Sequence, residues 1–504
     1  MDSLFKSLQL DKQFVRQHDL LRYMYANNGT QTTQELTSIL NISAPTLRAE
    51  LSYLKLELKE YLRIISVKKG EFVLLLEPTV SIDEVLSFLA KSTLVYRIIH
   101  HAFYVHQFSQ LQMLRELGVS RTTYLRILTH MNGVLRKYHI SLSSGVLRFI
   151  GKEDDIRTFL FYFYLGFGDS SIISSTADQD ARDWLHWNTS ERFRKQLRYN
   201  HFRAALWLSI VQVRHRSKTF VTLDRSFLQE IQQHKVYQHF KLVATKLLQK
   251  YYISLQIPED EIAWIYVVSL HCVTYSSTNS DLMETEFLYH RPEDATIVPE
   301  IKEFIRRGPI ACHDLDDRNL RMFAFLKNVY SLSKLSKNFE LSLPELIEYM
   351  RSTYSKVFYA WVQLLEDWNC SGQQLCFDSC ESIAACLTTI LMTPEKPSSL
   401  VPMRVLFALQ GAPGLDEYIL QISKLILSKD VHIHYFFEGT IYKEQLEQFD
   451  VDLILSNYDL HFTKNIQLPY LRLSRIPTAK DWEVVKTMTE TLRMNKSIHS
   501  MLVG

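Results

Sequence analysis

No stretch of this 504-residue sequence approaches the roughly 20 consecutive apolar residues needed to span a bilayer. The longest candidate, Phe159 to Phe167, is about half that length and is expected to form a buried helix. The segment Met1-Asp2-Ser3-Leu4-Phe5-Lys6 lacks the basic stretch and apolar run of an export signal, so a cytoplasmic, nucleoid-associated protein with no membrane partner is expected. Cysteine is scarce as well, with six in the chain, and Cys370, Cys376, Cys380 and Cys386 form no CxxC pair. These are expected to be reduced, buried thiols on a helix, neither a disulfide framework nor a zinc site. Neither disorder nor a membrane class suits 46% hydrophobic and 22% charged residues. A chain this long exceeds one hydrophobic core and should divide into three to five domains.

Net charge is only +2, but its distribution is uneven. Residues 1–150 carry 18 Lys plus Arg against 12 Asp plus Glu, and residues 101–150 carry six against one. Basicity concentrated at the front suits a surface that tracks phosphates. The remainder need not touch nucleic acid.

An internal repeat lies in the same region. Leu40-Asn41-Ile42-Ser43-Ala44-Pro45-Thr46-Leu47-Arg48-Ala49-Glu50-Leu51 aligns without a gap to Leu117-Gly118-Val119-Ser120-Arg121-Thr122-Thr123-Tyr124-Leu125-Arg126-Ile127-Leu128, at an offset of 77 residues. In each copy a helix ends at Leu. Asn41 or Gly118 follows, the residue types that best tolerate the left-handed conformation of a tight interhelical turn. Ser43 and Ser120 are then predicted N-caps of a second helix, with Pro45 tolerated in its first turn. Leu47, Leu51 and Leu54, or Tyr124, Leu128 and Met131, are predicted to form one buried face. Thr32-Thr33-Gln34-Glu35 reads as a capping box, and Leu111, Leu114 and Leu117 as the buried stripe of the corresponding second-copy helix. Paired strands around a Gly turn follow each copy: Leu62–Val67 with Glu71–Leu76, and Ile140–Ser143 with Val146–Ile150. The pattern is a winged helix-turn-helix, present twice.

In that geometry the start of the second helix enters the major groove. Arg121, Thr122 and Leu125 are the candidate base-reading residues of the second copy, and Arg126 suits a phosphate. The first copy has Ala44 and Pro45 where the second has Arg121 and Thr122, so it should read sequence poorly. Thr46, Arg48, Lys55, Lys68 and Lys69 remain candidates for phosphate contacts, which position the protein without specifying a sequence. Double-stranded DNA is the expected partner. The alternative reading of Arg121 and Arg126 is a solvated surface pair.

These paired units, and the passage Gly151-Lys152-Glu153-Asp154-Asp155-Ile156-Arg157 after the second wing, resemble Mga-type virulence regulators of Gram-positive bacteria. The likeness spans essentially the whole chain. It implies a mainly α, multidomain protein with winged helix-turn-helix units at 1–78 and 79–170, helical regulation domains of the sugar-phosphotransferase type at 171–282 and 283–395, and a small α/β enzyme-IIB-like domain at 402–504. Apolar periodicity agrees, with helices expected at Phe202–Val213, Phe227–Tyr252, Glu259–Tyr275, Asn319–Leu335 and Leu343–Asp367. The polar run Ser276–Ser280 separates the halves. In relatives such domains are controlled by histidine phosphorylation through phosphotransferase phosphocarrier proteins, and by position His201, His271 and, more weakly, His215 are the candidates. The expected second-domain helix around Arg321–Phe325 has no histidine, and only His313 lies near.

Pro394–Pro402 has linker composition, after which strands Arg404–Leu409, Val431–Phe437 and Asp452–Leu455 alternate with helices Leu415–Leu427 and Tyr442–Phe449. The order resembles an enzyme IIB component, whose phosphorylatable cysteine would follow the first strand. The residues there are Gln410-Gly411-Ala412-Pro413-Gly414, and no cysteine occurs beyond Cys386. The expectation is a non-enzymatic dimerisation module, without cofactor, metal or catalytic residues, in a homodimeric global transcription regulator. The alternatives are an RNA-binding antiterminator with the same regulatory domains, a phosphotransferase enzyme and a purely structural interaction protein.

Overall fold

A computed structural model of the chain describes residues 2–503, apart from 28–29, 69, 105–107, 168–171, 174–176, 178–179, 182–199, 234, 250–256, 276–293, 310–316, 343, 393–402, 428–430, 438–440, 442–445, 447–448, 450 and 461–467. Lys69, His313, Ser276–Ser280, Pro394–Pro402 and most of the helix expected at Tyr442–Phe449 therefore lie outside the described residues.

The front of the chain begins with α1 (Asp2–Leu8) and α2 (Lys12–Ala26), followed by β1 (Gln31–Thr32), α3 (Thr33–Leu40), α4 (Ala44–Glu57), β2 (Leu62–Lys68) and β3 (Glu71–Leu76). The strands form an antiparallel sheet in the order β1-β3-β2. Next come α5 (Ile82–Lys91), α6 (Leu94–Phe103), α7 (Gln110–Leu117), α8 (Arg121–Leu135), β4 (Ser141–Leu142) and β5 (Phe149–Ile150). The second wing is much shorter than its sequence suggests. Asn132 takes both backbone groups of Leu142, at 2.6 and 2.9 Å, and the Leu147 N–H donates to Phe108 O at 3.0 Å, so potential ladder bonds are spent elsewhere. The expected leucine stripe on α7 is also corrected: Met113 and Leu117 are buried, while Leu111 is 59% exposed.

Helix α9 (Glu153–Phe167) leaves the second wing and is buried over Phe159–Tyr164, as its apolar run predicts. The helical region continues with α10 (His201–Arg216), α11 (Arg225–Gln232), α12 (Lys235–Gln249), α13 (Glu259–Val268), α14 (Asp294–Arg306), α15 (Asp317–Ser333), α16 (Pro344–Thr353), α17 (Ser355–Cys370) and α18 (Cys380–Leu391). Two of the long helices expected from periodicity are each a broken pair, α11 with α12 and α16 with α17. Trp207 of α10 stacks on Phe161 of α9 at 4.2 Å and meets Trp264 of α13 edge-on at 5.5 Å, which fuses the three helices into one aromatic core. Among the described residues the thiols are free, but only Cys272 and Cys386 are buried, and Cys370 at the end of α17 is exposed. The cysteine group is thus not a single buried helix face.

Residues beyond 402 build a parallel sheet from β6 (Met403–Ala408), β7 (Val431–Phe436), β8 (Leu453–Ser456) and β9 (Tyr470–Arg472), in the order β7-β6-β8-β9. Helix α19 (Leu415–Ile426) connects β6 to β7, and α20 (Ala479–Val503) closes the chain. The molecule is mostly helical, with these parallel strands at its end.

Candidate nucleic-acid interface

The two copies of the repeat superimpose in their chemistry residue by residue. Thr32 caps α3 within a capping box completed by Glu35, and Ser109 caps α7 within one completed by Gln112. The first amide of each helix donates to the glycine of the following wing at the same distance: Thr33 N–H to Gly70 O at 2.7 Å, and Gln110 N–H to Gly145 O at 2.7 Å. The turns adopt the expected left-handed conformation, with φ +51° at Asn41 and +66° at Gly118. Ser43 and Ser120 accept from the Thr46 and Thr123 amides at 3.3 and 3.2 Å, and their hydroxyls bond those of the same threonines at 2.8 and 2.9 Å. Leu47, Leu51, Leu54, Tyr124, Leu128 and Met131 are all buried, so the opposite faces of α4 and α8 are presented to solvent.

On α8 that outward face holds Arg121, Thr122 and Arg126, all exposed, with Leu125 half-buried beside them. On α4, Arg48 and Lys55 are exposed, and Lys55 approaches the Phe72 ring at 5.9 Å. Lys68 is exposed at the wing tip, and Lys69 falls outside the described residues. Thr46 is half-buried with its hydroxyl bonded to Ser43, so it serves the helix cap in this structure. Front-region cations such as Lys6, Arg16, Arg22, Arg63 and Arg97 are held by carboxylates. Arg48, Arg121 and Arg126 make no ion pair among the described residues. Arg148, exposed in the second wing between buried Leu147 and Phe149, likewise makes no ion pair among the described residues. Alternation within the wing sequence was the signal for it.

The three candidate histidines all lie buried in the helical region, but the structure does not bring them together: His201 opens α10, whereas His215 lies in its last turn. His201 opens α10 directly behind its N-cap Asn200, whose own N–H donates to Cys272 O at 2.7 Å. His271 Nδ1 accepts from Trp207 Nε1 at 3.1 Å, which leaves Nε2 protonated and facing the Tyr162 hydroxyl at 3.3 Å. Burial holds its pKa well below the ordinary histidine value. His215 Nε2 lies 2.6 Å from Glu261 in a fully buried ionic cluster.

That cluster explains the Gly-x-Glu-x-x-Ile-Arg passage. Arg157 of α9 is wholly buried, pairs with Glu261 of α13, and donates to Glu153 at 2.9 Å and to Thr219 O at 3.0 Å. Arg214 of α10 clamps the same Glu153 carboxylate with two bonds of 2.8 Å. Proximity of Arg157 and the bond from His215 hold the Glu261 carboxyl below its ordinary value despite its burial. The helix that leaves the second wing is thereby locked into the helical region.

Similarity to known proteins agrees with this geometry. Residues 78–164 match the Mga helix-turn-helix domain, the span from α5 to α9. Across nearly its full length the chain is similar to the capsule synthesis positive regulator AcpB of Bacillus anthracis, at 22% identity over 94% of this chain and 98% of the relative. It is 24% identical to the anthrax toxin expression trans-acting positive regulator of the same organism, over 95% and 98% of the two chains. The capsule synthesis positive regulator AcpA, also from Bacillus anthracis, is 19% identical over 90% and 95%. The stretch from α5 to α9 thus matches an Mga helix-turn-helix domain, and the whole chain is similar to these positive regulators. These relatives are named as positive regulators and not as enzymes, and among the described residues of this chain no helix is long and apolar enough to cross a membrane.

Proposed function

We propose that this chain is an Mga-type positive regulator of virulence-type genes that binds promoter DNA chiefly through α8, with α4 adding phosphate contacts. The observation that carries the reading is the paired helix-turn-helix scaffold, whose outward faces hold arginines left without carboxylate partners. Arg121, Thr122 and Leu125 face bases, while Arg126, Arg148, Arg48, Lys55 and the wing lysine Lys68 face phosphates. Ala44 and Pro45 give the first unit little to offer base edges, so sequence specificity is low and DNA shape and backbone charge dominate. The names of the relatives support the positive sign of regulation. A genome-wide map of bound DNA, paired with gel shifts of the enriched duplexes at several salt concentrations, tests this. Absence of salt-dependent duplex binding refutes it.

The remaining parts belong to the same proposal. Residues 171–282 and 283–395 act as two phosphotransferase-type regulation domains, and residues 402–504 as an enzyme-IIB-like dimerisation module. The loop where a IIB enzyme needs its cysteine supports a non-catalytic role. Ala412 and Leu415 are buried, and Asn457 fastens the loop by bonding Gln410 N–H and Gln410 O at 2.8 and 2.6 Å. Phosphocarrier proteins of the phosphotransferase system modify His201, His271 or His215. A phosphate adds about −1.5 to −2 charges at neutral pH, which the packed core around α10 and α13 cannot absorb without opening. Incubation with the phosphotransferase enzymes and a phosphate donor, and sedimentation of the intact chain, test these two parts. Unlabelled protein or a strict monomer refutes the corresponding one.

A further inference from the structure

A cavity of about 750 Å³ lies where the front of the molecule meets the helical region. Its apolar walls are Leu4 and Phe5 of α1, Tyr162 and Phe163 of α9, Tyr138 just beyond α8, and Ile347 of α16. Ser342, Arg351, Ser352, Glu381 and Ser382 supply its polar lining. The size falls within the range of roughly 300–1,000 Å³ typical of small-molecule sites, and an apolar body with a few convergent polar groups is their usual character.

Arg351 indicates the head group. Its Nη2 donates to Glu381 at 2.7 Å and its guanidinium lies 5.7 Å from the Phe358 ring, but its buried Nε–H has no acceptor. A buried donor left unmade is costly, and a carboxylate is its strongest partner. The other rim carboxylate, Glu348, is exposed, where solvent weakens its repulsion.

We propose that this cavity binds an amphipathic organic acid, with its hydrocarbon chain against Phe5, Tyr162 and Phe163 and its carboxylate on Arg351. The occupant would bridge DNA-binding and regulatory parts. Helix α1, which roofs the site, also offers the Ser7 carbonyl to His130 Nε2 of α8 at 2.8 Å. Tyr162 donates to Leu341 O at 2.6 Å and touches His271, so the wall is shared with the histidine core. Filling the cavity pins α1, the end of α8 and α9 against α16 and α18. Ligand binding itself does not depend on the DNA-binding proposal, because it is read without DNA.

The test uses the full chain with decanoate, kept below its aggregation concentration, and thermal melting as the readout. A saturable rise in Tm is expected, because a ligand that binds only the folded state stabilises it by mass action. Ile347→Trp, which fills the cavity, should abolish the rise. Ser352→Trp at the rim is the second blocking variant should the first fail to fold. Arg351→Gln should weaken decanoate at least tenfold while leaving the weaker binding of decanol unchanged. No saturable shift, an undiminished shift in a folded blocking variant, or decanol binding as tightly as decanoate would each overturn the proposal. Gel shifts with and without decanoate then read the link to α8, independently of whether the site binds.

Discussion

Tyr25 of α2 donates a 2.8 Å hydrogen bond to Asp481 at the start of α20, across 456 positions of sequence. Lys480 reinforces the contact, bonding Tyr25 O at 2.9 Å and lying 4.3 Å from the Tyr25 ring centre. Asp83 does the same nearby, accepting from Arg22 at 2.7 Å and from the Arg475 N–H at 2.8 Å. The first helix-turn-helix is therefore bolted to the parallel-sheet region. Tyr25→Phe should cost about 1.5–3 kcal/mol, the worth of one buried hydrogen bond to a charged acceptor, measured by urea denaturation. Asp481→Ala should cost more, since Asp481 also accepts from the Thr478 N–H at 2.7 Å.

For DNA binding the expected asymmetry is between units. Arg121→Ala with Arg126→Ala should weaken duplex binding by roughly tenfold or more and flatten the salt dependence by about one unit of slope per lost phosphate contact. Arg48→Ala with Lys55→Ala should flatten the slope similarly and leave relative affinity among sequences unchanged. Titrations at several salt concentrations decide. Equal loss of sequence preference in both pairs would refute the asymmetry, and loss in the first-unit pair alone would reverse it.

Arg157→Met should destabilise the chain by about 3–5 kcal/mol, because Glu261 and Glu153 would keep buried charge with half their compensation gone. Denaturation monitored by tryptophan fluorescence reports it directly, since Arg157 lies 4.9 Å from the Trp264 ring.

Burial pushes the Asp416 carboxyl up to about 7, from an ordinary value of 3.8. The folded chain thus keeps a proton that the unfolded chain releases between about pH 4 and 7, so this group's contribution to stability falls as pH rises through that window. Asp416→Asn removes the effect. Its Tm relative to the unmutated chain should be higher at pH 8 than at pH 4, and a pH-independent difference would contradict the assignment.

What was legible in the sequence was local. Ser43, Ser120, Asn41 and Gly118 act on amides and turns within a few residues, so spacing alone places them. The second wing was overread because the partners of Leu142 and Leu147 are Asn132 and Phe108, outside the strands themselves. Arg157, Arg214 and Glu261 left no periodic trace, for their pairing exists only once α9, α10 and α13 meet. The histidines were found by likeness in position, and nothing in their neighbours' identities announced that Trp207 and Glu261 would occupy their ring nitrogens.

Helix α9 carries a practical lesson for dissecting the molecule. Cutting the chain near residue 170, where length and family resemblance invite a cut, would strip Arg157 of Glu261 and Thr219 and bare the Phe159–Tyr164 face to water. A fragment so trimmed would report on aggregation before it reported on promoters. Informative dissection of this protein is better done by point substitution in the intact chain.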